Sequence, residues 1–146
     1  MNQQDDACPC GSGLNLQQCC LPVIQSDRAN SAEQLMRSRY TAFVLADEQY
    51  LLKTWHSSTR PEDFALGKAS WLGLQVLEST SDTVSFEAAF HLGSKGMLLQ
   101  EKSRFTLEEG HWRYIDGDCV VSPIQRNAPC FCGSGIKFKR CCGLRR

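Results

Sequence analysis

The sequence predicts an α+β fold in which helices precede a curved antiparallel sheet and a small zinc knuckle flanks this unit at each end. Apolar residues recur at helical spacing through about residue 66 and alternate at strand spacing from Trp71 onward. The two kinds of segment follow one another instead of interleaving, which favours an antiparallel sheet. Two cysteine groups of identical spacing stand near the two ends of the 146-residue chain.

Both cysteine groups follow the pattern C-x-C-x8-C-C, with Gly-Ser-Gly directly after the second cysteine. Four clustered thiolates suit a tetrahedral Zn²⁺. The Gly-Ser-Gly segment can turn sharply and direct backbone N–H groups toward the sulfurs. The sequence therefore predicts two zinc ions, one in each knuckle. The predicted ligands are Cys8, Cys10, Cys19 and Cys20 in the first knuckle and Cys130, Cys132, Cys141 and Cys142 in the second.

Disulfides and an iron–sulfur cluster are the alternatives for these cysteines. The first seven residues are polar and acidic and do not resemble a secretory signal. No stretch has the length of a membrane span, so we expect no membrane partner. A cytoplasmic protein keeps its thiols reduced, which favours metal over disulfides. Iron–sulfur chemistry stays open here, and elemental zinc with no visible absorbance would exclude it.

The pattern divides the chain into a knuckle at residues 1–22, an α+β domain at 30–125 and a second knuckle at 126–146. Turn-forming residues predict a linker over 21–30. Ser31 is the expected N-cap of a helix, with Gln34 as its capping-box partner. Asp47 is the expected cap of a second helix over 48–55, and Pro61 suits a third over 61–66.

Four strands are expected after these helices, separated by turns at 79–82, 93–96 and 108–110. The alternation assigns them to residues 72–76, 84–92, 99–107 and 112–116. By strand parity, Tyr114 and Asp116 share a face with Trp112. The same parity places Glu101 and Ser103 on one face with Leu99, Phe105 and Leu107.

Three further residues carry no assigned role. Cys119 belongs to neither cysteine group and is expected to be a small buried residue at the end of the last strand. A redox or nucleophilic role for this thiol is the alternative. His91 and His111 fall on strands and are expected to face solvent.

Basic residues concentrate at the second knuckle, although the net charge of the whole chain is zero. No acidic residue follows Asp118. Lys137, Lys139 and Arg140 lie between the cysteines of the second knuckle, whereas residues 15–18 of the first contain no cation. These cations offset thiolate charge and also predict contact with an acidic partner.

Most of the chain resembles the bacterial YchJ family. The resemblance rests on residues 35–43, 50–56, 71–74, 101–105 and 112–117. The cysteine groups resemble the SEC-C motif, named for the tail of the SecA translocation ATPase, where it is a zinc knuckle that contacts a chaperone. The middle resembles the nuclear transport factor two fold, a cystatin-like cone in which a curved sheet wraps over helices.

The resemblance to a cone implies a concavity that can hold a ligand or an active site. Arg39 lies on the edge of the apolar helix face and is expected to form a structural ion pair with Glu101. The sequence shows no recognisable nucleophile–base pair in this region, so an enzyme is the less favoured hypothesis. The candidate lining residues are Arg39, Tyr40, Trp55, His56, Glu101, Tyr114 and Asp116.

The leading hypothesis is a zinc-binding adaptor for a protein partner, and the resemblance implies secretion, chaperone or ribosome-linked work. One alternative is a small-molecule-binding protein or an enzyme that uses the central cavity. Another is RNA binding through the basic tail, with Phe131 or Phe138 stacking on bases. The sequence does not indicate the oligomeric state.

Overall fold

The computed structural model of this protein describes residues 7–131 and 134–141. Within them, the four strands form an antiparallel sheet in the order β1-β2-β3-β4, preceded by the helices. The predicted α+β fold is therefore confirmed. The elements are α1 Cys20–Ser26, α2 Ala32–Leu45, α3 Glu48–Lys53, β1 Ser70–Ser79, β2 Thr83–Leu92, β3 Lys95–Glu108 and β4 His111–Pro123, with 3₁₀ turns at Leu16–Gln18 and Phe138–Arg140.

The α2 helix begins at the predicted cap and packs across one face of the sheet. The Ser31 side chain accepts a hydrogen bond from the backbone N–H of Gln34 at 3.1 Å. The Gln34 side chain in turn accepts from the N–H of Asn30 at 2.6 Å, one residue before the cap. Buried residues of α2 meet buried residues of β2 and β3 in one core cluster: Leu35, Met36, Tyr40, Val84, Phe86 and Phe105.

The predicted linker over 21–30 is wrong, because α1 occupies most of it. Val23 is buried, and Ile24 packs against the core. Pro22 is tolerated in the first turn of a helix, where its missing N–H has no intrahelical acceptor. The helix ends at Asp27 in the left-handed region at φ 55°. Arg113 on β4 donates two hydrogen bonds of 2.8 Å to the Asp27 carboxylate and so ties α1 to the sheet.

The predicted helix over 61–66 is also wrong, and α3 ends at Lys53 instead of residue 55. The chain after α3 pairs with β4: Tyr114 N donates to Thr54 O at 2.8 Å, and His56 N donates to Tyr114 O at 2.7 Å. Backbone groups used in this pairing cannot also extend the helix. No helix in the described ranges is long and apolar enough to cross a bilayer.

A β-bulge in β4 changes which residues face the helices. Arg104 lies opposite Asp116 while the next residue, Phe105, lies opposite Tyr114, so Ile115 is an extra residue on β4. The bulge leaves Tyr114 facing α2, whereas Asp116 points to the other face and forms an ion pair with Arg104. The expectation that Tyr114 and Asp116 share a face is therefore wrong. The strand also continues well beyond residue 116, to Pro123.

Several exposures differ from the sequence-based expectation. His91 was expected to face solvent but is 2% exposed, because the Phe138 ring covers it. Cys119 was expected to be buried but is exposed on the edge strand β4. Leu107 is 55% exposed near the end of β3 and does not reach the core. His111 is partly exposed, and its Nδ1 lies 3.0 Å from the carbonyl oxygen of Asp27.

Candidate metal centre

Residues 7–20 form a small hairpin that brings four cysteine side chains together. Cys8 N donates to Leu14 O at 2.9 Å, and Gly11 N donates to Cys8 O at 3.2 Å. Gly11 and Gly13 have φ of 78° and 89°, a region that glycine adopts without strain. The 3₁₀ turn Leu16–Gln18 then returns the chain, so that the last two cysteines meet the first two.

The four sulfurs have the spacing of a tetrahedral metal site. The Sγ atoms of Cys8, Cys10, Cys19 and Cys20 all lie within 4.8 Å of one another. Cys10 Sγ lies 3.6 Å from Cys19 Sγ, which lies 3.9 Å from Cys20 Sγ. Thiolates at about 2.3 Å from a tetrahedral zinc would sit about 3.8 Å apart, whereas a disulfide needs about 2.05 Å. None of these four cysteines forms a disulfide, so this cluster can bind a metal.

Without a metal, the cluster cannot hold four thiolates. Hydrogen bonds from Cys20 and then Cys8 hold the pKa of Cys10 far below its ordinary value. The bond to Cys10 raises the pKa of Cys20, and burial raises the pKa of Cys19. Cys10 therefore carries the negative charge, while Cys19 and Cys20 keep their protons. A divalent cation would remove this conflict, since it stabilises all four thiolates together.

Neighbouring side chains support the cluster from outside. Ser12 Oγ lies 3.1 Å from Cys19 Sγ, and Thr41 Oγ1 of α2 lies 3.7 Å from Cys8 Sγ. Arg37 Nη1, also on α2, donates to the carbonyl oxygen of Cys10 at 2.7 Å. Arg37 thus supplies the cation that residues 15–18 lack. Sequence analysis missed Arg37 and Thr41, because only the packing of α2 on the knuckle brings them close.

The described part of the second knuckle has the same backbone hydrogen bond, serine–sulfur contact and 3₁₀ turn as the first. Cys130 N donates to Ile136 O at 2.8 Å, as Cys8 N donates to Leu14 O. Ser134 Oγ lies 3.3 Å from Cys141 Sγ, as Ser12 lies near Cys19. The 3₁₀ turn Phe138–Arg140 corresponds to Leu16–Gln18. The predicted ligands Cys132 and Cys142 lie outside the described residues, so the second metal site stays a prediction.

The two knuckles dock on opposite faces of the central domain. Cys8, Cys10 and Cys20 of the first belong to the main core beside α2 and Leu74 of β1. The second lies on the face of the sheet that points away from α2, where the Phe138 ring sits 6.0 Å from the His91 ring. A Cβ at Gly96 would lie 2.4 Å from the Phe138 ring, so only glycine allows this approach.

A family model described as the YchJ middle NTF2-like domain matches residues 31–117, more than half of the chain. The chain belongs to the YchJ family. The SEC-C motif model matches residues 6–22 and 126–144, which contain the two cysteine groups. A solved relative of this YchJ-family chain is a SEC-C motif-containing protein from Psychrobacter arcticus. The two are 27% identical over 100% of each chain and superpose with a TM-score of 0.65.

The predicted partner-binding cations lie on the outer side of the second knuckle of this YchJ protein. Lys137 and Arg140 are exposed, and Lys139 is half-buried. Between them, Phe138 turns inward and is 3% exposed. Ile136, beside Lys137, is 50% exposed. The outward surface is therefore cationic with one apolar residue, while the inward side anchors the knuckle.

The central domain of this YchJ chain contains a cavity of about 180 Å³ between α2 and the sheet. Five of the seven predicted lining residues border it: Arg39, Tyr40, Trp55, Glu101 and Tyr114. His56 does not; its Nδ1 lies 2.7 Å from Ser58 Oγ, and its Nε2 lies 3.6 Å from Glu108. Asp116 is also outside, because the bulge turns it to the other face.

The predicted ion pair between Arg39 and Glu101 is wrong. Arg39 Nη1 donates instead to Leu51 O at 2.8 Å and to Thr54 Oγ1 at 2.7 Å. The guanidinium lies 5.4 Å from the Trp55 ring centroid and 4.8 Å from that of Tyr114. Burial lowers the pKa of Arg39 to about 10, so the side chain remains charged at neutral pH. Carbonyl dipoles and aromatic faces, not a contacting carboxylate, hold this cation.

Proposed function

We propose that this YchJ protein is a zinc-binding interaction module, in which the central domain holds two zinc knuckles and the second contacts an acidic surface of a protein partner. The observation that carries the proposal is the cluster of four cysteine sulfurs within 4.8 Å in the first knuckle. All-thiolate donor sets of this spacing suit zinc, and the compact tetrahedron suits a structural site with no open position.

The first knuckle serves the stability of the protein. Three of its cysteines, Cys8, Cys10 and Cys20, are at most 5% exposed. Its backbone is bound by Arg37, and its turn residues 15–18 carry no cation. A metal there would tie the N-terminal segment and α1 to α2 and to the sheet.

The second knuckle is better suited to binding a partner. Lys137 and Arg140 point to solvent beside the exposed Ile136, and Phe138 holds the turn in a fixed position. Clustered cations on a preorganised turn favour an acidic surface and speed association with it. The SEC-C motif of the second knuckle fits this role, and the partner we propose is a protein.

Charge reversal tests the interaction. The variant with Lys137→Glu and Arg140→Glu should lose partners that the wild-type protein captures after crosslinking, and rising salt should weaken the wild-type capture. The matched control reverses Lys53 and Lys68, which are also exposed but lie on the central domain. Equal capture by wild type and the knuckle variant would contradict the proposal. Capture that disappears after nuclease treatment would instead identify RNA as the partner.

A further inference from the structure

The cavity under α2 has the size and walls of a site for one aromatic ring. Its volume is about 180 Å³, and eight of its fourteen lining residues are aromatic. An apolar protein cavity of roughly 150 Å³ holds one benzene molecule. This cavity therefore has room for a six-membered ring with a small substituent. Rings entering it would meet Tyr40, Trp71 and Phe105 among others, whose edges and faces favour offset or edge-to-face packing.

Two residues of the cavity lining carry N–H groups that no described residue accepts. Trp55 lines the cavity, and its indole N–H is buried with no partner among the described residues. Arg39 also lines it and is 7% exposed. Only Nη1 of this guanidinium donates to described residues, and the N–H groups on Nε and Nη2 have no acceptor there but are not fully buried. A buried donor without an acceptor, such as the indole N–H of Trp55, is rare in native proteins, because it destabilises the fold unless something else binds it.

An acceptor lies in the same cavity. Glu101 Oε2 accepts a hydrogen bond from Ser103 Oγ at 2.5 Å and a long one from Tyr114 O–H at 3.5 Å. The other carboxylate oxygen of Glu101 makes no hydrogen bond in the described structure. Gly117 permits this arrangement, since a Cβ there would lie 2.6 Å from Glu101 Oε2. The cavity thus combines aromatic walls with a donor group and a carboxylate.

We propose that this cavity binds one small planar aromatic molecule that carries a hydrogen-bond acceptor next to an N–H donor, as in an aromatic amide or lactam. The acceptor oxygen or ring nitrogen of the ligand accepts hydrogen bonds from the N–H groups of Trp55 and Arg39 that have no acceptor in the protein. The N–H of the ligand donates to Glu101, and the ring lies among the aromatic walls. A simple carboxylate suits the site less, because Glu101 repels it. This binding site is independent of the two knuckles.

Benzamide is the minimal probe of this chemistry, and the metal-loaded full chain is the protein to test. Titration with benzamide should shift the indole N–H resonance of Trp55, which is assigned by its loss in the Trp55→Phe variant. Benzamide should bind more tightly than toluene, which lacks polar atoms, and more tightly than benzoate. Absence of saturable binding by benzamide would overturn the proposal. Tighter binding of benzoate would also overturn it, in favour of an anion site.

Two tryptophan variants separate the hydrogen bond from the apolar space. Trp55→Phe keeps a ring but removes the unpaired N–H, and should weaken benzamide binding about tenfold while leaving toluene binding unchanged. Trp71→Phe is the matched control, because Trp71 lines the same cavity and its N–H is not among the unpaired buried atoms. The Trp71→Phe substitution should weaken the binding of benzamide and of toluene to the same extent. An equal loss of affinity for benzamide and for toluene in Trp55→Phe would show that the site is only an apolar void, and would overturn the proposal.

Discussion

Two serines occupy equivalent positions in the two knuckles and make the same contacts. Ser12 Oγ accepts from Leu14 N at 3.2 Å and lies 3.1 Å from Cys19 Sγ. Ser134 Oγ accepts from Ile136 N at 3.2 Å and lies 3.3 Å from Cys141 Sγ. Because each serine oxygen already accepts from the backbone, its O–H is left to donate to the sulfur. Such a bond orients a thiolate ligand and stabilises its charge.

Removing this hydroxyl should weaken the first metal site. Ser12→Ala should lower the zinc affinity of the first knuckle roughly 10- to 100-fold, because an outer-shell partner of a ligand is lost. Competition with a chromophoric chelator measures this affinity. Ser26→Ala is the control, since Ser26 Oγ donates to Pro22 O away from the cluster. Equal affinity in Ser12→Ala and wild type would contradict the assigned role.

Burial of Tyr50 predicts a loss of stability in alkaline solution. Burial raises its pKa to about 12, and its hydroxyl lies 2.7 Å from Ser38 Oγ. Because the folded pKa exceeds the unfolded value of about 10, the contribution of Tyr50 is complete below about pH 10 and is lost as pH rises through about 12. Tyr114, with a pKa raised to about 12 chiefly by burial, acts in the same direction. Arg39 opposes them, because burial lowers its pKa to about 10.

Comparison with Tyr50→Phe isolates the contribution of this phenol. Between about pH 9 and about pH 12, the free energy of unfolding of the variant should fall by roughly 2 kcal/mol less than that of the wild type. Denaturant unfolding of the metal-loaded proteins at the two pH values measures the difference. If the free energy of unfolding fell equally in the two proteins, the pKa of Tyr50 would not differ between the folded and unfolded states in this pH range.

At the scale of elements, local chemistry in the sequence predicted the start of α2 and the hairpin turns well. Ser31 and Gln34 carry a cap pattern that depends on neighbours only, and Glu109-Gly110 forms the tight turn before β4. The bulge at Ile115 could not be predicted, because it depends on how Phe105 and Tyr114 pack under α2. The same tertiary packing explains the failed expectations for Asp116 and for the pairing of Arg39.

Phe138 anchors the second knuckle, so its truncation should release that element while leaving the first in place. Phe138→Ala should lower the opening free energy that protects Cys130 N–H and Ile124 N–H by about 3 kcal/mol. These amides donate to Ile136 O and to Gly96 O, at 2.8 and 2.9 Å. Native-state hydrogen exchange measures the change.

Two controls accompany the Phe138 experiment. Ile136→Ala removes an apolar side chain from the same knuckle, but that side chain is 50% exposed and its loss should leave both amides protected. The amide of Cys8, bonded to Leu14 O within the first knuckle, should remain protected in both variants. Unchanged exchange at Cys130 and Ile124 in Phe138→Ala would show that the metal alone, and not the sheet, holds this knuckle.

In the whole molecule, the two repeats of one motif have acquired different surroundings. The first is built into the core and accepts a hydrogen bond from Arg37 of α2, whereas the second packs on the opposite face of the sheet and carries its own exposed cations. Cysteine spacing predicted the cysteine cluster of the first knuckle, because ligand spacing is local. Spacing could not predict where each knuckle docks. The position of the second depends on the packing of Phe138 against His91 of β2 and Gly96 of β3.

The central claim is that each end of the chain holds a zinc ion through four thiolates. X-ray absorption at the zinc edge, combined with elemental analysis of the colourless protein purified under reducing conditions, tests it most directly. The account predicts two zinc ions per chain, each with four sulfur neighbours at about 2.3 Å, and one ion fewer in Cys10→Ser. Protein without zinc, a nitrogen- or oxygen-rich coordination shell, or visible absorbance from iron and sulfide would contradict it.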